Sequence, residues 1–153
     1  MNAEAKLQEM GITLPEAPKP VAAYVPFTRS GDLVFTSGQI CLENGQLKYK
    51  GKVGKDLTPE EGYQAARLCA INTLAVLKAA VGSLDNVEQI VKVVGFVNSA
   101  SGFTAQPAVV NGASELYQQV FGEAGRHSRS AVGAPELPLD SAVEVEIIAR
   151  VKA

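Results

Sequence analysis

Tryptophan is absent from this chain, histidine occurs once and cysteine twice. The lone histidine, His127, nearly excludes a histidine-dependent catalytic triad or a histidine-rich metal site. Cys41 and Cys69 fit no metal or redox spacing and read as two free thiols rather than a disulfide. Neither sign of charge dominates: 14 Lys and Arg stand against 16 Asp and Glu, for a net charge of −2. That balance gives no broad electrostatic reason to bind nucleic acid or an anionic membrane. No apolar run approaches the ~20 residues of a membrane span. The opening "MNAEAKLQEMG" lacks the apolar core of a secretory signal, so a cytoplasmic protein is expected. Neither G-x-x-x-x-G-K-S/T nor G-x-G-x-x-G occurs, and "TSGQI" is not a G-x-S-x-G elbow, so nucleotide binding and elbow-type hydrolysis have no support.

What is present suits one globular domain over 1–153: 46% of residues are hydrophobic and 20% charged. Residues 2–10 read as a short amphipathic helix capped by Asn2, with Leu7 and Met10 on one face and Gly11 as its stop. "TLPEAPKP" has three prolines in eight residues, an extended connector that makes 1–19 an N-terminal extension. "AAYVPFTRSGDLVFTSGQI", from Ala22, reads as two short strands around a Ser30-Gly31-Asp32 turn. Asn44-Gly45 is a hairpin dipeptide, followed by a basic, glycine-rich loop. Thr58, Pro59 and Glu61 open a long helix with a cap, a first-turn proline and a capping box. It should run to Val81, stop at Gly82 and bury a stripe of Tyr63, Ala66, Ala70, Leu74, Leu77 and Val81.

"VEQIVKVVGFVNSA" reads as a strand apolar on both faces, Val91, Val93 and Val97 on one and Val94 and Phe96 on the other. A second helix from Gln106-Pro107 presents Val110, Ala113, Tyr117 and Val120 and ends near Gly122. "SRSAVGA" is a short strand. The last strand alternates Val143, Val145, Ile147, Ala149 and Val151 against Glu144, Glu146, Ile148 and Arg150. Two helices can cover one face of such a sheet. With no third long helix for the other face, a homo-oligomer packed through its sheets is expected.

For chemistry, His127 reads as a solvated or turn-stabilising loop residue. Arg129 sits among small residues in an apparent strand, where a guanidinium needs an anionic partner. That partner is either an internal carboxylate, Glu144 or Glu146, or the carboxylate of a substrate gripped bidentately. The "PELPLD" turn would make 129–134 and 143–148 antiparallel neighbours, with Arg129 beside Glu144. Glu144 reads either as a water-positioning carboxylate or as an ordinary surface glutamate. Tyr24 lies among small residues, and Ser37-Gly38 offers backbone a ligand could approach, or only a bulge.

"YVPFTRSGDLVFTSGQI", "VKVVGFV" and "RSAVGAPELPLDSAVEVEIIA", in this order, resemble the RidA family (YjgF; also endoribonuclease L-PSP), over about residues 20 to 151. The resemblance implies an α+β, chorismate-mutase-like fold: a single mixed sheet with two long helices on one face, and a homotrimer with a central sheet barrel. It implies hydrolysis of reactive 2-enamino and 2-imino acids, such as 2-iminobutanoate and 2-iminopropanoate, to 2-keto acids and ammonia in clefts between subunits, with neither cofactor nor metal. Carried over by position, the carboxylate-binding arginine is Arg129 and the water-positioning glutamate is Glu144. Tyr24, Ser37, Gly38, Ser101, Phe103, Ser130 and Ala131 line the substrate pocket.

The chain departs from the family at Ser101, where an asparagine is usual, at Ala131, often cysteine, and at His127-Ser128. The N-terminal helix and the 42–57 loop are additions, so the chain looks like a longer, diverged branch. Its implied partners are a small carboxylate-bearing substrate and copies of itself, without nucleic acid or membrane. A carboxylate-binding trimer without turnover uses the same cleft. A ribonuclease, the older family name, is poorly served by one histidine and no basic patch.

Overall fold

The computed structural model describes residues 2–20 and 23–153. Helix α1 (Ala3–Glu9) is capped by the Asn2 side chain, which accepts from the Ala5 N–H. It buries Ala3 and Leu7. Glu4 ties it down: the carboxylate accepts from Lys78 and from the Leu84 N–H, which together outweigh burial and lower its pKa.

Strands β1 (Phe27–Ser30) and β2 (Leu33–Thr36) form the expected hairpin, and β3 (Gln39–Ile40) follows. The predicted start at Ala22 lies outside the described residues. Strands β4 (Leu42–Glu43) and β5 (Gln46–Leu47) pair around Asn44-Gly45, both with the positive φ that a tight hairpin turn requires.

Helix α2 (Pro59–Val81) shows all three predicted start signals, including both hydrogen bonds of the capping box. Its buried side is broader than the predicted stripe. Tyr63 and Val81 are only half-buried, whereas Leu68, Cys69, Asn72, Thr73, Ala75 and Val76 are buried. A helix sandwiched between a sheet and a second helix buries more than one seam. That second helix is α3 (Gln106–Phe121), and Gly112 allows the approach: a Cβ there would lie 2.0 Å from the Tyr63 carbonyl oxygen.

Strands β6 (Val87–Asn98), β7 (Ser128–Ala134) and β8 (Val143–Val151) complete a mixed sheet in the order β1-β2-β8-β6-β7, with β3 also paired to β8. The fold is α+β, with α2 and α3 packed on one face over Val93, Val97, Val143, Val145 and Ile147. A register shift between Ile90 and Lys92 brings Ile90 and Val93 into the core together. Val91 falls in that irregularity and leaves the face predicted for it, half-buried.

The predicted pairing of 129–134 with 143–148 is wrong. Strand β7 runs parallel to β6, and β8 runs antiparallel to β6 on its other side. The connection through 135–142 is therefore a crossover rather than a hairpin. It is held by the buried Asn98, whose amide donates to Asp140 and to the Ser141 carbonyl. The sheet's other face carries Phe35 and Val132, both exposed, with Val94, Phe96 and Ile148 half-buried.

Candidate functional site

Directly opposed residues in neighbouring strands share a face. Arg129 opposes Val93, which opposes Ile147, so Arg129 is on the helix side. Glu144 opposes Phe96 and lies on the other side. Within one chain the two are separated by β6 and do not meet, contrary to the expected pairing.

Arg129 is half-buried without a carboxylate partner among the described residues. Its guanidinium donates to Asn111 Oδ1 at 2.8 Å and to Ser114 Oγ at 3.1 Å, both on α3. Neutral oxygens orient the group but leave its charge uncompensated. His127 stands behind it: Nε2 lies 2.8 Å from Ser114 Oγ and Nδ1 2.7 Å from the Gly125 carbonyl. Its ring packs edge-on against Tyr117. Burial first, then the Arg129 charge, lowers its pKa and favours the neutral form, overcoming the Gly125 hydrogen bond. A neutral imidazole donating from Nδ1 and accepting at Nε2 stabilises the turn, which was the expected role.

Glu144 occupies different surroundings. It is half-buried, and burial, then the neighbouring Glu146 charge, raises its pKa above that of an ordinary glutamate. Its carboxylate lies over Gly38, where a Cβ would stand 2.1 Å from Oε2. The strand breaks between β2 and β3 to allow this. Thr36 Oγ1 accepts from the Ile147 N–H at 3.1 Å, and Ser37 is pinned by its N–H to the Pro26 carbonyl and its hydroxyl to the Val25 carbonyl.

A cavity of about 610 Å³ opens at this edge, and Glu144, Gly38 and Tyr24 line it together. Three of the expected site residues therefore converge, with Ser37 next in the chain. The others do not line this cavity. Ser130 is exposed on the open face and Ala131 half-buried on the helix face. Ser101 is exposed in the turn after β6, and Phe103 packs over Gly54. Within one chain, then, Glu144, Gly38 and Tyr24 share a cavity, Arg129 and Ala131 lie on the helix face of β7, Ser130 on its open face, and Ser101 and Phe103 in the loop after β6.

Sequence reasoning missed the rest of the cavity's lining, which includes Pro15, Pro18 and Lys19 of the connector, Gln39, Ile40 and Leu42, and Asn72 and Ala75 of α2. The signal available was Asn72, a poor helix former inside an alanine-rich helix. Its amide donates to the Ile40 and Leu42 carbonyls at 2.9 and 3.0 Å and so fastens β3 and β4 to α2.

Beneath this segment the two cysteines are free and buried. The neighbouring Cys69 lowers the Cys41 pKa, with help from Ser141, while burial pushes the Cys69 thiol, which donates to the Val143 carbonyl, up. Among the described residues no group of three or more His, Cys, Asp or Glu could hold a metal, and no helix is long and apolar enough to cross a membrane.

Residues 4–151 match the family model described as "YjgF/chorismate mutase-like, putative endoribonuclease". Protein TCP17 of Trypanosoma cruzi is 45% identical over 145 residues, which cover 94% of this chain and 91% of that one. The 2-iminobutanoate/2-iminopropanoate deaminase of Dermatophagoides farinae is 30% identical over 137 residues, covering 90% and 92%. Among solved structures, Atu1372 of Agrobacterium tumefaciens, of unknown function, superposes with a TM-score of 0.92 at 44% identity, covering 98% and 92%. E. coli TdcF with bound serine superposes with a TM-score of 0.60 at 31% identity, covering 90% and 94%.

Proposed function

From the premise that this chain belongs to the YjgF family, we propose that it hydrolyses reactive 2-imino and 2-enamino acids to 2-keto acids and ammonia, as a homotrimer. The observation that carries the reading is Glu144: a half-buried carboxylate of raised pKa, without a cationic partner among the described residues, over bare glycine backbone in a cavity. Such a group suits proton transfer near neutral pH better than an exposed glutamate does. The deaminase of D. farinae supplies the reaction class, and the serine of TdcF is a small carboxylate held by a relative.

The reaction asks little of the protein. The iminium carbon is already electrophilic, so no cofactor is required. Glu144 accepts a proton from water as the water oxygen bonds to C2. Glu144 then returns that proton to the carbinolamine nitrogen and takes the hydroxyl proton as the C=O bond forms and the C–N bond breaks; ammonia leaves, and Glu144 releases its proton to water. The Gly38 carbonyl accepts from the substrate nitrogen, and the Tyr24 hydroxyl closes the mouth of the cavity.

The substrate carboxylate goes to Arg129. Because Arg129 and Glu144 are apart within one chain, the Arg129 that serves a given Glu144 belongs to a second copy. The open sheet face, with Phe35 and Val132 exposed, is where copies pack. The Arg129 charge, oriented by Asn111 and Ser114 but not neutralised by a carboxylate among the described residues, supports the same arrangement.

The test supplies 2-iminobutanoate from a threonine dehydratase and follows its hydrolysis, with sedimentation giving the mass in solution. Acceleration over buffer by a trimer is the expected result. A well-formed trimer with no acceleration for this or any other imino acid removes the enzymatic reading and leaves a carboxylate-binding protein.

A further inference from the structure

The reading above leaves most of the cavity unused. Glu144, Gly38 and Tyr24 account for its reacting end. The remainder runs between the proline-rich connector and α2, with Pro15 and Pro18 on one side and Ile40, Leu42 and Ala75 on the other. About 610 Å³ falls within the roughly 300–1,000 Å³ of pockets that enclose drug-sized ligands. A three- or four-carbon imino acid fills a small part of it.

Glu16, Lys19, Gln39 and Asn44 also line the cavity, and the polar group that α2 adds is Asn72. Both amide hydrogens of Asn72 are committed, to the Ile40 and Leu42 carbonyls, which fixes the orientation of the amide. Oδ1 accepts no hydrogen bond from the described residues, yet no buried side-chain oxygen or nitrogen among them lacks a partner. Asn72 Oδ1 is therefore not sealed in the core. It is open, on a residue that lines the cavity.

We infer that the preferred substrates are 2-imino acids with a large, mainly apolar side chain that carries a hydrogen-bond donor, received between the connector and α2 and met by Asn72 Oδ1. This rests on the deaminase reading for the reaction but names its substrate class. Apolar walls with the Asn72 acceptor among them, and with Glu16, Lys19, Gln39 and Asn44 also on the lining, favour a phenol or an indole N–H over a purely aliphatic chain. The connector makes the N-terminal extension a part of the specificity pocket.

The product 2-oxo acids are stable and serve as probes. Calorimetric titration of the intact protein with pyruvate, phenylpyruvate and 4-hydroxyphenylpyruvate should give affinities rising in that order. The first step should be tenfold or more and the second about fivefold. Ala75→Phe, which fills the cavity from α2, should compress the first step below threefold. Equal affinities across the series, or tightest binding of pyruvate, overturn the inference on the wild-type protein alone, whether or not the variant folds.

Hydrolysis of the matching imino acids, made in situ by an amino-acid oxidase, separates this inference from the reading beneath it. Binding in the expected order without hydrolysis of any imino acid sinks the deaminase reading and leaves the pocket assignment standing. Hydrolysis with kcat/KM falling as the side chain grows does the reverse.

Discussion

Arg129 and Glu144 are each half-buried on a strand without a partner of opposite charge among the described residues, and they are treated differently. Glu144 is given space: a glycine beneath it, a cavity beside it and surroundings that raise its pKa. Arg129 is given orientation: an amide and a hydroxyl from α3, backed by a neutral histidine. A group that must exchange a proton benefits from a shifted pKa and room for water. A group that must hold a charge benefits from a fixed direction and no competing anion.

The largest effect should come from removing the proton acceptor. Glu144→Gln keeps the shape over Gly38 and should lower kcat/KM by roughly 10² to 10⁴, the usual worth of a general base, with an unchanged melting temperature. Retention of activity within a factor of a few would remove Glu144 from the chemistry.

Next comes Gly38→Ala. The glycine has no positive φ, so alanine brings no backbone strain. Its Cβ falls where Oε2 now lies, and the flexible carboxylate must swing aside. Displacement of a reacting group by about 1 Å costs on the order of a hundredfold in rate, while stability should hardly change. A melting temperature that falls with activity would instead mean that Gly38 serves the strand break alone.

The arginine side of the comparison should give the smaller loss. Arg129→Ala should raise KM by about ten- to a hundredfold, the range of one or two charge-assisted hydrogen bonds, with the oligomer intact by sedimentation. Arg129→Lys should not restore it, since an ammonium lacks the planar fork. Dissociation of the oligomer in Arg129→Ala would make the residue a structural one.

These two regions were also unequally legible in the sequence. Local signals fixed α2, because Thr58, Pro59, Glu61 and Gly82 each act within a turn of their own position. They fixed the final strand too, since strict alternation needs one buried face and nothing else. The neighbour of β7 was not legible, because a seven-residue strand of mostly small side chains carries little register information. The short 135–142 link suggested a hairpin, yet it crosses over β6 on contacts from Asn98, Asp140 and Gly51.

The 42–57 loop was opaque for the same reason. Val53 bonds to Asn98 and Ala100, and Lys52 reaches Asn98 and Pro135, all distant in sequence. Individual site residues could be named, but the separation of Arg129 from Glu144 by β6 depended on strand order. The cavity was invisible because its walls come from a connector, an edge strand and a helix whose meeting no local pattern encodes.

The finest separation of the two groups is in pH. Burial raises the Glu144 pKa first, and the Glu146 charge adds to it. If the carboxylate form is the active one, kcat/KM must climb with pH along a limb set by Glu144, above the ordinary glutamate range. Glu146→Gln removes the second cause and leaves the first, so the limb should move to lower pH without reaching the ordinary value. The plateau should stay within about twofold. Glu146 is exposed, and added salt, which screens exposed charges, should shift the wild-type limb the same way and the Glu146→Gln limb less. Arg129 variants should do the opposite, lowering the whole curve while leaving the limb in place. A limb that moves with Arg129 and not with Glu146 would mean that the titrating group is governed from the arginine's side of the cleft, and would exchange the roles assigned to the two residues.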